Sequence, residues 1–282
     1  MIVNILDEGH PENRMFLKLY DRRFSERLRD TFRTNPWTKD FEKEYINAVK
    51  TGAIREFLDK LHPIHSFERE AEEDWNDGEV EAFLCDQVRQ IFDAETAVYD
   101  RLRDIQGEMV PRLIARVKLA ISLPDDGNSS SHDHITPVTR DEVAEQLDIK
   151  GVLLQYIDGF ILSQMTVRAP RSDWQSIVDQ AVAVVHAVGD RDILNEDVGP
   201  ENFLIRPDGY GSYQVLMIDL GHARLRRQNE SDHAWYNAKL AQGEDIAVGG
   251  AMRKRLAKYE GFELRFEVSE RYRKLVGLND DE

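Results

Sequence analysis

The sequence predicts an α+β fold, with short strands in both halves of the chain, a long helical stretch between the first two of them and further helix towards the C-terminus. Three observations carry this expectation. Short apolar runs such as MFLKLYD, RLIARVKLAI, KGVLLQYIDG and YQVLMID are too short for helices and are bounded by turn residues, as strands are. Between the first two of them, residues 24–106 read mainly as helix, with breaks at Pro36, Gly52, Pro63 and the stretch 75–78. With 282 residues, 41% of them hydrophobic and 32% charged, the chain is large enough for one sizeable core or two lobes, and wholesale disorder is excluded.

Charge and cysteine content narrow the function classes. A formal net charge of -16 argues against nucleic acid as the main partner, because phosphate-backbone binding needs a surplus of Lys and Arg. The single cysteine, Cys85, cannot form an intramolecular disulfide, and MIVNILDEGHPEN has no basic region leading into a long apolar run. The expected compartment is therefore reducing, cytoplasmic or nuclear, and not secreted. No apolar run approaches the roughly 20 residues of a membrane span, so no membrane association is expected.

In chain order, IVNIL and MFLKLYD flank the turn-rich DEGHPENR and read as a β-hairpin. In the helical stretch the acidic run FEREAEED reads as a solvated face, and the last helix carries Ile91, Val98, Leu102 and Ile105 on one stripe before QGEMVP ends it. RLIARVKLAI is a strand, 122–142 has the composition of an exposed loop, and KGVLLQYIDG is a buried strand ending in a turn. APRSDWQSIVDQAVAVVHAVGD predicts a helix with a capping box at Ser172 and Gln175, its apolar face formed by Trp174, Ile177, Val178, Ala181, Val185 and Val188. LNEDVGPENFLI follows, and then the turn RPDGYGS joins FLI to YQVLMID, so that a second hairpin ends at Asp219.

The order helix, polar loop with Asp197 and Asn202, strand, turn, strand, Asp219 suits phosphoryl transfer. That reaction asks a protein for metal ligands, charge compensation and a group to orient the nucleophile. Hard oxygen donors suit magnesium. Asp219, at a strand end before Gly221, is suited to hold a metal against nucleotide phosphates, and Asn202 can supply a second metal contact from across the hairpin. Asp197 can orient, or accept a proton from, an attacking hydroxyl.

These segments resemble the protein-kinase-like superfamily, whose catalytic loop H-R-D-x-x-x-x-N and metal loop D-F-G correspond to residues 195–202 and to Asp219-Leu220-Gly221. The LNEDV loop is most similar to that of the divergent kinase-like proteins of filamentous fungi. The resemblance covers about residues 1–225 and implies a two-lobed α+β fold. Its N-terminal lobe would span 1–158, with a helical insertion at about 24–90, a C-helix at about 92–106, the loop 122–142 and a hinge strand at 150–158. A reduced C-terminal lobe would span 159–282. It further implies ATP and Mg2+ as cofactors, Lys18 as the phosphate-binding lysine and Glu95 as its partner, since Glu95 precedes Tyr99 by four and Leu102 by seven and so faces inward. Leu154 would border the adenine, and the backbone of Gln155 and Ile157 would meet the base.

The sequence departs from the family pattern at four places. It contains no G-x-G-x-x-G, and on the resemblance residue 1 falls near the second strand. Asn195 and Glu196 stand where His and Arg are usual, and Gly199 stands where Ser/Thr kinases carry a lysine. Residues 222–282 contain no A-P-E. The expected function is an ATP- and Mg-dependent phosphotransferase acting on a hydroxyl of a protein or small molecule. The alternatives are a pseudokinase acting as an interaction scaffold and, less favoured, a small-molecule kinase of aminoglycoside or choline phosphotransferase type.

Overall fold

A computed structural model describes residues 1–4, 14–61, 75–121 and 140–271. The expected turn of the first hairpin, the run FEREAEED, most of the loop at 122–142 and everything after 271 lie outside these residues. The first hairpin forms as β1 (Ile2–Asn4) and β2 (Arg14–Tyr20), antiparallel with Ile2 opposite Phe16.

The helical stretch comprises α1 (Glu26–Thr31), α2 (Lys39–Thr51), α3 (Ala53–Leu61) and the 25-residue α4 (Asp77–Arg101). Local chemistry sets their ends. Thr38 caps α2 by accepting from the Phe41 N–H, and Gly52, at φ 78°, ends it in the left-handed conformation that costs glycine least. The break expected at 75–78 is a helix start: Asn76 Oδ1 accepts from the Glu79 N–H while Glu79 accepts from the Asn76 N–H, a reciprocal capping box.

Strand β3 (Leu113–Leu119), α5 (Arg140–Leu147) and β4 (Ile149–Gln155) follow, and the first sheet has the order β1-β2-β4-β3. Then come β5 (Phe160–Ile161), the short α6 (Met165–Arg168) and α7 (Trp174–Gly189). All six predicted apolar-face residues of α7 are buried, and the helix packs on β8 (Tyr213–Met217), which pairs antiparallel with β7 (Phe203–Pro207). The capping box predicted for α7 does not form. A 3-10 turn at Arg171–Asp173 precedes the helix, Ser172 Oγ turns to Asp173, and the Gln175 amide is drawn away into two hydrogen bonds with the Arg265 backbone. A tertiary partner has taken the side chain that local spacing assigned to the cap.

The remaining elements are β6 (Ile193–Asn195), paired with β9 (Ala223–Leu225), then α8 (Asp232–Gln242), a π-turn at Ile246–Gly250 and α9 (Ala251–Glu260). By packing, the chain divides into two compact units. Unit 1 gathers residues 1–17, 93–115 and 153–282, and unit 2 gathers 18–92 and 116–152. Unit 2 has a core of its own, in which Tyr45, Val49, Ile54, Ala82, Val143 and Leu147 pack together. Among the described residues no helix is long and apolar enough to cross a membrane.

Candidate functional site

The loop that carries Asp197 leaves β6, the three-residue strand after α7. Asp192 makes the turn into that strand at φ 59°, a conformation Asp tolerates better than most residues. All of β6 is buried. On one side it pairs with β9, and on the other a buried ion pair holds its backbone: Glu244 accepts from the Asn195 N–H at 2.8 Å, and the Lys239 ammonium donates to the Ile193 carbonyl at 2.9 Å and to Glu244. Burial draws Lys239 below and Glu244 above their usual ranges, against the attraction between them. Asn195 completes the support, its Oδ1 accepting from the Asp197 N–H at 3.1 Å. Asp197 itself is half-buried.

Asn202 ends a 3-10 turn that begins at Pro200, and it ties the loop together in two ways. Its amide nitrogen donates to the Asp197 carbonyl, which leaves Oδ1 as the acceptor end of the side chain. Its carbonyl accepts from the Ile218 N–H at 2.8 Å, which brings the loop beside the end of β8. Asp219 is the next residue, exposed and at φ 59°. A non-glycine residue held in the left-handed region between a strand and a turn re-aims its side chain relative to that strand. The Asp208 carboxylate fixes the hairpin's far turn, where the Tyr210 and Ser212 N–H groups donate to it and Gly209 and Gly211 take positive φ.

Glu95 lies in α4 and is fully buried. One turn on, Tyr99 is fully buried too, and its phenol stands within electrostatic reach of both the Glu95 and Asp219 carboxylates. Burial first, and then those two charges, hold the phenol well above its ordinary range. The structure thus gathers Glu95, Asp197, Asn202 and Asp219 in unit 1. Leu154, Gln155 and Ile157 are buried in the same unit. The Gln155 N–H donates to the Arg112 carbonyl at 2.9 Å, so of its two backbone groups only the carbonyl can meet a base. Gly159, two residues beyond Ile157, lies so close to β7 that a Cβ there would stand 2.4 Å from the Ile205 carbonyl oxygen. Lys18 belongs to unit 2, where it is half-buried in β2 with its ammonium 5.3 Å from the Tyr20 ring centroid.

The donor set fits a magnesium ion that takes most of its ligands from phosphates and water. Asn202 and Asp219 are hard oxygen donors on adjoining chain segments, whereas no cluster of three or more His, Cys, Asp or Glu able to hold a metal occurs among the described residues. Sequence reasoning missed Lys239 and Glu244, because a charged residue in a polar helix reads as solvated and these two act on backbone 46 and 49 residues away. Tyr99 served only to mark an inward face, and its hydroxyl went unread.

No protein-family model matches the chain, and no curated protein matches it.

Proposed function

We propose that the protein is a protein-kinase-like phosphotransferase that uses ATP and magnesium to phosphorylate a hydroxyl acceptor. One observation carries the reading: the bond from the Ile218 N–H to the Asn202 carbonyl, together with that from Asn202 to the Asp197 carbonyl, draws three residues of phosphoryl-transfer type onto one edge of a hairpin.

Asp197 orients the acceptor hydroxyl and receives its proton as the oxygen attacks. Asn202 and Asp219 hold the cation through oxygen. Magnesium, when bound, neutralises charge on the phosphates. The Gln155 carbonyl and the backbone of Ile157 take the base, and Leu154 borders it. Lys239 and Glu244 keep the loop in register from behind.

Nucleotide affinity that rests on these groups is read as a thermal shift. For a dissociation constant of about 1 mM, about 10 mM ATP stabilises the fold by about 1.4 kcal/mol, a rise of about 3 to 5 °C in Tm. This shift should need magnesium, and Asp219→Ala should abolish the magnesium requirement while leaving unfolding cooperative. Magnesium-dependent ATP binding that survives in Asp219→Ala, measured by calorimetry, rules the assignment out. No shift in the parent protein favours the pseudokinase.

A further inference from the structure

The backbone of β6 is held from two sides. β9 takes one edge, and on the other Lys239 donates to the Ile193 carbonyl and Glu244 accepts from the Asn195 N–H. Gln242 extends this row of side chains, because its Nε2 donates to the Glu196 carbonyl at 2.9 Å, one residue before Asp197. Lys239 and Gln242 stand three apart on α8 and so share a face, and the carbonyls they hold stand three apart on the chain. Gln242 is the last residue of α8. Gly243, at φ 56°, ends the helix there by donating its N–H to the Lys239 carbonyl at 3.1 Å, so the helix end that carries Gln242 is itself fixed.

The Glu196 carbonyl and the Asp197 N–H belong to one planar peptide unit. Gln242 donates to its carbonyl, and Asn195 Oδ1 accepts from its N–H at 3.1 Å, so side chains hold both of its polar groups. On the other side of Glu196, the Glu196 N–H donates to the His222 carbonyl at 3.0 Å. Turning the peptide before Asp197 would break two bonds at once. It would also change φ of Asp197, and with it the direction in which the carboxylate leaves the backbone.

We propose that Gln242 is a positioning residue for Asp197: its amide holds the preceding peptide in one orientation and so keeps the carboxylate aimed at the acceptor hydroxyl. The proposal rests on the phosphotransferase reading above. A glutamine that only tied a surface loop to a helix end would add a little stability and nothing to turnover. A side chain that sets the direction of a catalytic carboxylate acts on rate instead, because a misplacement of about 1 Å costs about 100-fold.

Two variants separate these roles. Gln242→Glu is isosteric but puts a carboxylate oxygen where the Glu196 carbonyl needs a donor, and Gln242→Lys puts a donor back. Both should melt within about 3 °C of the parent, because the bond lies at the surface. In amide hydrogen exchange without nucleotide, the Asp197 N–H of Gln242→Glu should exchange about tenfold faster, with the amides of α7 unchanged. In magnesium-dependent turnover of ATP to ADP, its kcat should fall about tenfold with KM for ATP within about twofold, and Gln242→Lys should recover most of both losses. Parent-like exchange at Asp197 or parent-like kcat in Gln242→Glu overturns the proposal, as does a Gln242→Lys variant that behaves like Gln242→Glu. A Gln242→Glu variant that melts far below the parent marks the bond as structural and overturns it too. If turnover is lost in Asp197→Asn but kept in Gln242→Glu, only the role of Gln242 fails. If the parent shows no magnesium-dependent turnover, or its turnover survives Asp197→Asn, the phosphotransferase reading fails and the role of Gln242 with it.

Discussion

The Lys239–Glu244 pair shows how much one residue's surroundings can differ from what its type suggests. Both side chains are buried, and burial works against both charges. What offsets this is the pair's attraction together with bonds to two backbone groups of β6, the strand that leads into Asp197. Glu244→Gln keeps an oxygen for the Asn195 N–H but removes the carboxylate beside Lys239, so it should cost about 3 to 5 kcal/mol in urea unfolding. Adding Lys239→Met should restore part of that, and the two effects should be clearly non-additive. Strict additivity would show that the ion pair is not the unit that holds β6. The loop and hairpin that carry Asp197, Asn202 and Asp219 could be read from the sequence because their order within one short segment is itself a signal. Lys239 and Glu244 could not, because their function lies in a contact that no local pattern encodes.

At the scale of elements, periodicity proved a better guide than capping chemistry. The apolar face of α7 and the β7–β8 hairpin follow directly from spacing, since burying those residues leaves one face available. The cap of α7 does not, because Gln175 has a stronger tertiary use. The link from β9 to α8 is set instead by local charge and capping. Arg224 grips Glu230 with two bonds of 2.8 and 2.9 Å, and Ser231 caps α8 by accepting from the Ala234 N–H. The Arg224 hydrogen bonds, aided by the Arg227 N–H and partly opposed by burial, push the Glu230 carboxyl down to about 2. A carboxyl lowered on folding contributes stability above its unfolded value, near 4.5, and loses that contribution as the pH falls towards 2. The stability difference between the parent and Glu230→Gln should therefore shrink across that window. A difference that stays constant from pH 5 down to about 2.5 would show that the ion pair does not set the Glu230 titration.

At the scale of the whole molecule, composition and pattern were enough for a mixed α and β chain with small sheets and no membrane-crossing helix among the described residues. They could not reveal which distant segments share a core. Unit 1 draws on three separated stretches and unit 2 on two, and such contacts depend on side-chain fit rather than local propensity. Buried charge in unit 2 makes the point sharply. Glu81 in α4 is 1% exposed, takes two bonds from Arg29 at 2.7 and 3.0 Å, and pairs with Arg22 at 3.1 Å. Arg22 reaches on to Glu42 at 2.6 Å and lies 4.0 Å from the Tyr45 ring, so the network borders the unit's core. From sequence alone, any of these four would be assigned to a solvated surface. Glu81→Gln leaves two buried guanidinium groups with less negative charge between them, and should destabilise the fold by about 3 to 5 kcal/mol. If the division by packing is also a division of cooperativity, amide hydrogen exchange in the variant should accelerate most across 18–92 and 116–152. Acceleration of equal size throughout 153–271 would mean that the two units unfold as one.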